Sequence, residues 1–176
     1  MNSPPRKYIV VFDFNGTLAN DQRHLPDFDH TWDTPEQVLT HMPLFKEAVE
    51  RWVNMERTNI IEPHILTALS HRHRPFIVKA MNAALAPYGL SITEDRVHTF
   101  PAAHLWSPPA LIDHKREHLV RLRPMIHIAD SDGKPDHNGG ATKDYDLVAT
   151  QQANKMLAEM GLPLIQFFNA HEYRTF

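Results

Sequence analysis

The sequence predicts a single three-layer α/β domain on a mostly parallel sheet. Short β-branched runs alternate along the chain with longer amphipathic stretches, the pattern of a parallel sheet covered by helices on both faces. The first such run, Lys7-Tyr8-Ile9-Val10-Val11-Phe12, ends on a carboxylate, Asp13, as strands do where open α/β sheets bind ligands. A length of 176 residues suits one core, and nothing in the chain suggests a second domain.

The elements follow in order. Residues 7–12 read as a buried strand. Asp13-Phe14-Asn15-Gly16-Thr17-Leu18 is a turn, in which Gly16 allows a sharp bend and a close approach to a phosphate. Residues 18–33 read as an irregular polar loop. Thr34 or Asp33 caps a helix that has Pro35 in its first turn, and Pro43 interrupts it. A second helix runs to about Met55, with Leu44, Phe45, Ala48, Val49, Trp52 and Val53 on one face. The run Ile60 to Thr67 or Ser70 reads as a strand, although Pro63 belongs at a strand start or edge. Phe76, Ile77, Ala80, Met81, Ala84 and Leu85 mark a helix from about Pro75 to Pro87, stopped at Gly89. Arg96 to Phe100 is a short strand, and 108–122 is a helix that Pro124 stops. Met125 to Ala129 is a strand ending on Asp130, followed by a Gly- and Asp-rich loop over 130–142. A helix spans about Lys143 to Met160, Gly161 ends it, and Leu162 to Phe168 makes the last strand.

Composition removes several function classes. The net charge of −3 argues against a nucleic-acid binder that works by bulk electrostatics. The chain has no cysteine, hence no disulfide framework and no thiolate zinc site, which fits a cytoplasmic protein. No apolar run approaches the ~18 residues of a membrane span. Residues 1–6 lack the apolar stretch of a signal peptide. The scattered histidines read mainly as surface polar residues.

Acidic, hydroxyl and ammonium residues line up at the predicted strand ends. Asp13 ends the first strand, Thr67 or Ser70 the second, and Asp130 and Asp132 follow a later one; Lys115 lies on the helix before it. In a parallel sheet these groups share one rim. Asp13 is of the right type to attack phosphorus or to hold Mg²⁺. A lysine and a divalent cation would offset the repulsion between a phosphate and these carboxylates.

This order, with the motif Val11-Phe12-Asp13-Phe14-Asn15-Gly16-Thr17-Leu18, resembles the haloacid dehalogenase-like superfamily of phosphohydrolases, from Tyr8 to about Phe168. Thr17-Leu18-Ala19-Asn20 with Arg23, and the ending Gly161-Leu162-Pro163-Leu164-Ile165-Gln166, are similar to its polynucleotide 3′-phosphatase and nucleotidase branches. The resemblance implies a Rossmann-like domain whose core is 7–168. It implies an aspartyl-phosphate on Asp13, with Mg²⁺ held by Asp13, the backbone carbonyl of Asn15, Asp130 and Asp132, and with Asp136 as a further acidic candidate. Thr67 binds the phosphoryl group, with Ser70 as runner-up, and Lys115 neutralises charge. Gly16 and Thr17 belong to the substrate-binding turn. The stretches Asn15–Ile65 and Ser70–Lys115 are too short for a large cap, so about 19–56 supplies only a minimal one. An open site, in which Arg72 and Arg74 of His71-Arg72-His73-Arg74 grip a second phosphate, admits a nucleotide or a phosphorylated nucleic-acid end, or a covering second copy of the chain.

One position departs from the superfamily pattern. Its phosphatases carry an acid/base Asp two residues after the nucleophile; here Asn15 stands there, and an amide transfers no proton at neutral pH. Four explanations follow: a leaving group that needs no acid, a long-lived phospho-aspartate in a transferase or switch, a proton from His24 or Asp21, or an engineered substitution that traps a complex. A non-catalytic phosphate-binding protein is the rival reading. A receiver-like signalling domain fits Asn-Gly-Thr after Asp13 poorly.

Overall fold

The computed structural model describes residues 7–20, 34–130 and 144–170. Five strands form one all-parallel sheet: β1 (Tyr8–Phe12), β2 (Ile61–Ser70), β3 (Val97–Phe100), β4 (Ile126–Ala129) and β5 (Gln166–Asn169), in the spatial order β3-β2-β1-β4-β5. The helices are α1 (Pro35–Thr40), α2 (Lys46–Arg57), α3 (Arg74–Leu85), α4 (Pro108–Leu122) and α5 (Tyr145–Glu159). The architecture is a Rossmann-like three-layer α/β domain. Strand order runs one way from β1 to β3 and then reverses to β4 and β5. Right-handed crossovers therefore put α1–α3 on one face and α4 and α5 on the other.

Each face has its own core. On the first, Val10, Phe12, Ile65, Val97 and Ile128 of the strands pack with Trp52 of α2 and Ile77, Met81 and Leu85 of α3. Trp52 is fully buried, 5.5 Å from the Phe12 ring, and its indole N–H donates to Glu56 at 2.8 Å. On the second, Val11 and Leu66 meet Leu119 of α4 and Ala149, Ala153 and Leu157 of α5. The alanines let α5 lie close to the sheet.

Pro63 sits in an interior strand, in the part of β2 that precedes its pairing with β3, which begins at Ile65 and Val97. There the Arg96 guanidinium donates to the Pro63 carbonyl at 2.9 and 2.7 Å in place of a strand. The second helix starts later than its apolar spacing predicts. Pro43 to Phe45 are extended and pair with Leu18 to Asn20: Phe45 N–H donates to Leu18 and Asn20 N–H to Pro43. The last strand also starts later, because the Asn154 side chain takes both backbone groups of Ile165. Thr34 and Gln37 form the reciprocal cap of α1; Asp33 lies outside the described residues.

The surface reading of the histidines fails for most of those described. His71 and His104 are exposed, whereas His64 and His127 are buried and the rest partly so. Between α4 and the β2–β3 part of the sheet, four of them form a cluster of their own. His64 donates from Nε2 to Glu62 at 2.9 Å, and its Nδ1 lies 3.0 Å from His98 Nε2 with the rings parallel within 1°. His118 and His114 of α4 continue the cluster, with ring centroids 5.4 Å from His98 to His118 and 4.3 Å from His118 to His114.

Candidate functional site

The strand order reverses between β1 and β4, and the crevice outside their carboxyl ends is where open α/β sheets bind ligands. Asp13 leaves β1 there, and its N–H donates to the Ile128 carbonyl of β4 at 2.9 Å. The chain then turns back. The N–H groups of Leu18 and Ala19 donate to Phe14 at 3.0 and 2.9 Å, and that of Gly16 donates to Ala19 at 2.8 Å. Gly16 has φ +75°, and a Cβ added to it would collide with Asp130 Oδ2 and lie 3.0 Å from Asp130 Cγ. Glycine is needed here both for its dihedral and for the carboxylate seated against it. Asp130 is thus seated against the turn that follows Asp13.

Lys115 arrives from α4. Leu111, Lys115 and Leu119 share the buried stripe of that helix, so the lysine takes a core slot and is 2% exposed. Its Nζ donates to Asp13 Oδ1 at 2.9 Å and to Asp146 Oδ1 at 2.6 Å. Burying an ammonium is costly unless it is paired and hydrogen-bonded, and both conditions hold. Asp146, in the first turn of α5, also lies 3.2 Å from Nε2 of the buried His127. Thr150 donates its hydroxyl proton to the Asp146 carbonyl at 2.7 Å, so His127 Nδ1 donates to Thr150 Oγ1 at 2.8 Å. That bond fixes the imidazole with Nε2 toward Asp146.

The carboxylates divide one ammonium unequally. At Asp13, burial pushes the carboxyl from 3.8 up to about 7; Lys115 opposes this and the Asp146 charge adds to it. At Asp146, burial also acts against ionisation, but Lys115 and His127 outweigh it and hold the carboxyl at about 2. At Lys115, burial works against the ammonium, and Asp13 and Asp146 overcome it and hold the group above its ordinary value. Asp13 is therefore the carboxylate whose charge is incompletely compensated.

Thr67 is fully buried near the end of β2. Its hydroxyl donates to the Asn15 side-chain oxygen at 3.3 Å and accepts from the Leu69 N–H at 3.2 Å. The β2–β3 register shifts between Thr67 and Ser70, a bulge beside the site. Thr17 Oγ1 is buried without a hydrogen-bond partner among the described residues. Ser70 is engaged elsewhere, with Oγ 3.1 Å from His73 Nδ1. Arg74 donates from Nη2 to His71 and to Thr99, each at 3.2 Å. Arg72 is exposed. Asp132, Asp136, Asp21 and His24 lie outside the described residues.

The structure thus gathers Asp13, Asn15, Gly16, Thr67, Lys115 and Asp130. Sequence reasoning missed Asp146 and His127. A signal for Asp146 was present: the buried stripe of α5, Leu157, Ala153 and Ala149 or Thr150, reaches residue 146 when stepped back by one more turn.

These residues fit a hard cation. Asp13 and Asp130 are oxygen donors at one turn, one of them undercompensated, and the missing Cβ of Gly16 leaves room for the other. Mg²⁺ is commonly held by one or two carboxylates, with water and phosphate oxygens completing its shell. Among the described residues no group of three acidic or histidine side chains forms a closed metal cage. No protein-family model matches the chain, and no curated protein sequence matches it.

Proposed function

We propose that this chain is a Mg²⁺-dependent phosphohydrolase of the haloacid dehalogenase-like type, acting on a nucleotide or a phosphorylated nucleic-acid end. One observation carries the reading: the buried Lys115 ammonium, 2.9 Å from an Asp13 carboxylate at the strand-order reversal. Asp13 Oδ attacks phosphorus, an O–P bond forms, and the ester P–O bond breaks with its electron pair leaving on the alcohol oxygen. Water then attacks the aspartyl-phosphate, which regenerates the carboxylate and yields inorganic phosphate and a proton. Lys115 orients Asp13 and holds positive charge beside the transferring group. Thr67 sets the Asn15 side chain, and the Gly16 turn seats the Asp130 carboxylate. Asp13, the Asn15 carbonyl, Asp130 and Asp132 would hold Mg²⁺, which when bound supplies charge compensation for the incoming phosphate.

Asn15 favours a second reading, a phosphate-binding or phospho-switch protein, since its amide gives the leaving oxygen no proton. Hydrolysis of an aryl phosphate with Mg²⁺ by the parent chain, Asn15→Asp and Asp13→Ala separates the two. The phosphohydrolase reading expects Asn15→Asp to gain about 10²–10⁴ in rate and Asp13→Ala to be inactive. If neither the parent nor Asn15→Asp turns over any phosphate ester, the binding reading stands instead.

A further inference from the structure

We infer that Trp106 is a stacking platform for a base of the phosphorylated substrate, with Arg72 facing the neighbouring phosphate. The inference rests on the phosphohydrolase reading for the position of the reacting phosphate.

β2 and β3 end side by side, at the Ser70–Phe100 pair, so the segments that follow leave the sheet at one point of the carboxyl rim. The first is the turn His71–His73, which packs against β3. The second, 101–107, leads into α4, where Ser107 caps the helix by accepting from the Ala110 N–H at 3.3 Å. From that cap α4 runs down the sheet until Lys115 meets Asp13. At ~1.5 Å per residue, Ser107 stands about 12 Å along the axis above Lys115. β3 lies two strand spacings from β1, about 9–10 Å. Trp106, next to the cap, therefore stands at the carboxyl rim, about 15 Å from Asp13 by these two offsets, the span of about two nucleotides.

What stands at this part of the rim is unlike the rest of the surface. Leu105 and Trp106 are 54% and 47% exposed. Of the other large exposed apolar residues among those described, Tyr8, Ile60, Met125 and Leu164 lie at or just before strand starts, on the opposite edge, and Met156 and Met160 lie on or just after α5. His71 and Arg72 on the first segment and His104 on the second are exposed as well. Arg74 is tied to His71 and Thr99, so it buttresses the turn and Arg72 is its outward-facing guanidinium. An exposed indole beside cations is the arrangement that binds single-stranded nucleic acid: the ring stacks on any base and the cation tracks the backbone. The cations are few and the chain is acidic overall, so the footprint is short, a strand end of one to three nucleotides rather than a duplex.

The test measures equilibrium binding of a fluorescent 3′-phosphorylated trinucleotide with Mg²⁺, alongside hydrolysis of glycerol phosphate, which carries no base. Trp106→Ala should weaken trinucleotide binding about 5- to 150-fold and leave glycerol phosphate turnover unchanged; Trp106→Phe should keep most of the affinity. Arg72→Ala should reduce the slope of log affinity against log salt by about 0.7. If the chain hydrolyses glycerol phosphate but Trp106→Ala binds the trinucleotide as the parent does, the platform is overturned and the phosphohydrolase reading survives. If binding depends on Trp106 but neither the parent nor Asn15→Asp hydrolyses any phosphate ester, the platform stands and the catalytic reading falls. If the parent chain does not bind the trinucleotide, the platform is wrong whatever the turnover.

Discussion

Lys115 is a charged residue in a position that helical spacing reserves for an apolar one, and its surroundings explain why it stays there. Its ammonium offsets the burial penalty of two carboxylates: without it Asp13 loses its ion pair, and Asp146 is left with His127 at 3.2 Å. Lys115→Met leaves both exposed to that penalty and should cost about 3–5 kcal/mol, measured as a fall in urea unfolding free energy. Asp146 acts on Asp13 through charge. With Asp146→Asn, one source of repulsion is gone and Lys115 serves Asp13 alone. The Asp13 carboxyl should then titrate below the value near 7 that it has in the parent, as followed by carbon NMR of labelled aspartate. An unchanged or higher titration would refute this account of the shift.

The elements act as rulers for these charges. β1 delivers Asp13 to the rim, and the turn after it folds back tightly enough that the Asp130 carboxylate at the end of β4 occupies the space of a missing side chain. Gly16→Ala puts a Cβ into that carboxylate and asks an L residue to hold φ +75°. It should cost at least about 1–2 kcal/mol and weaken Mg²⁺ binding by calorimetry. α2 holds the other side of the sheet through Trp52. Trp52→Ala should cost about 3–5 kcal/mol, and because Trp52 packs behind the site rather than within it, Mg²⁺ affinity should change little in the fraction that folds.

The whole molecule carries a pH dependence that follows from its histidine cluster. Burial lowers His64, His98, His114 and His118, reinforced at His98 and His114 by neighbouring cations; His98 falls to about 3 and His114 to about 4. A base held low in the fold takes up its proton more readily when unfolded. Its stabilisation is complete above about pH 6.5 and is lost as pH falls toward the folded values. Asp13 works in the opposite sense, favouring the fold below its unfolded value of 3.8 and losing that contribution as pH rises through about 7. The histidines outnumber it, so the urea midpoint should drop between pH 7 and pH 5, and the double variant His98→Phe, His118→Leu should flatten that limb. A midpoint constant over this range would contradict the pairing of these histidines as neutral groups.

Much of this molecule could be read from local pattern. Alternating periods of two and about 3.6 mark the strands and helices, an apolar run ending on Asp13 marks a rim, and Asn15-Gly16 marks a turn. These are properties of neighbouring residues, and backbone sterics and burial act on them at short range. The ion network was not open to that reading. Lys115 and Asp13 are 102 positions apart, and Asp144 and Asp146 look alike until the packing of Ala149 and Ala153 fixes the rotation of α5. His127 looks like one more polar side chain until β4 turns it under α5. Which charges end up sharing a low-dielectric interior depends on how distant elements dock, and only the assembled layers bring Asp13, Lys115, Asp146 and His127 within reach of one another.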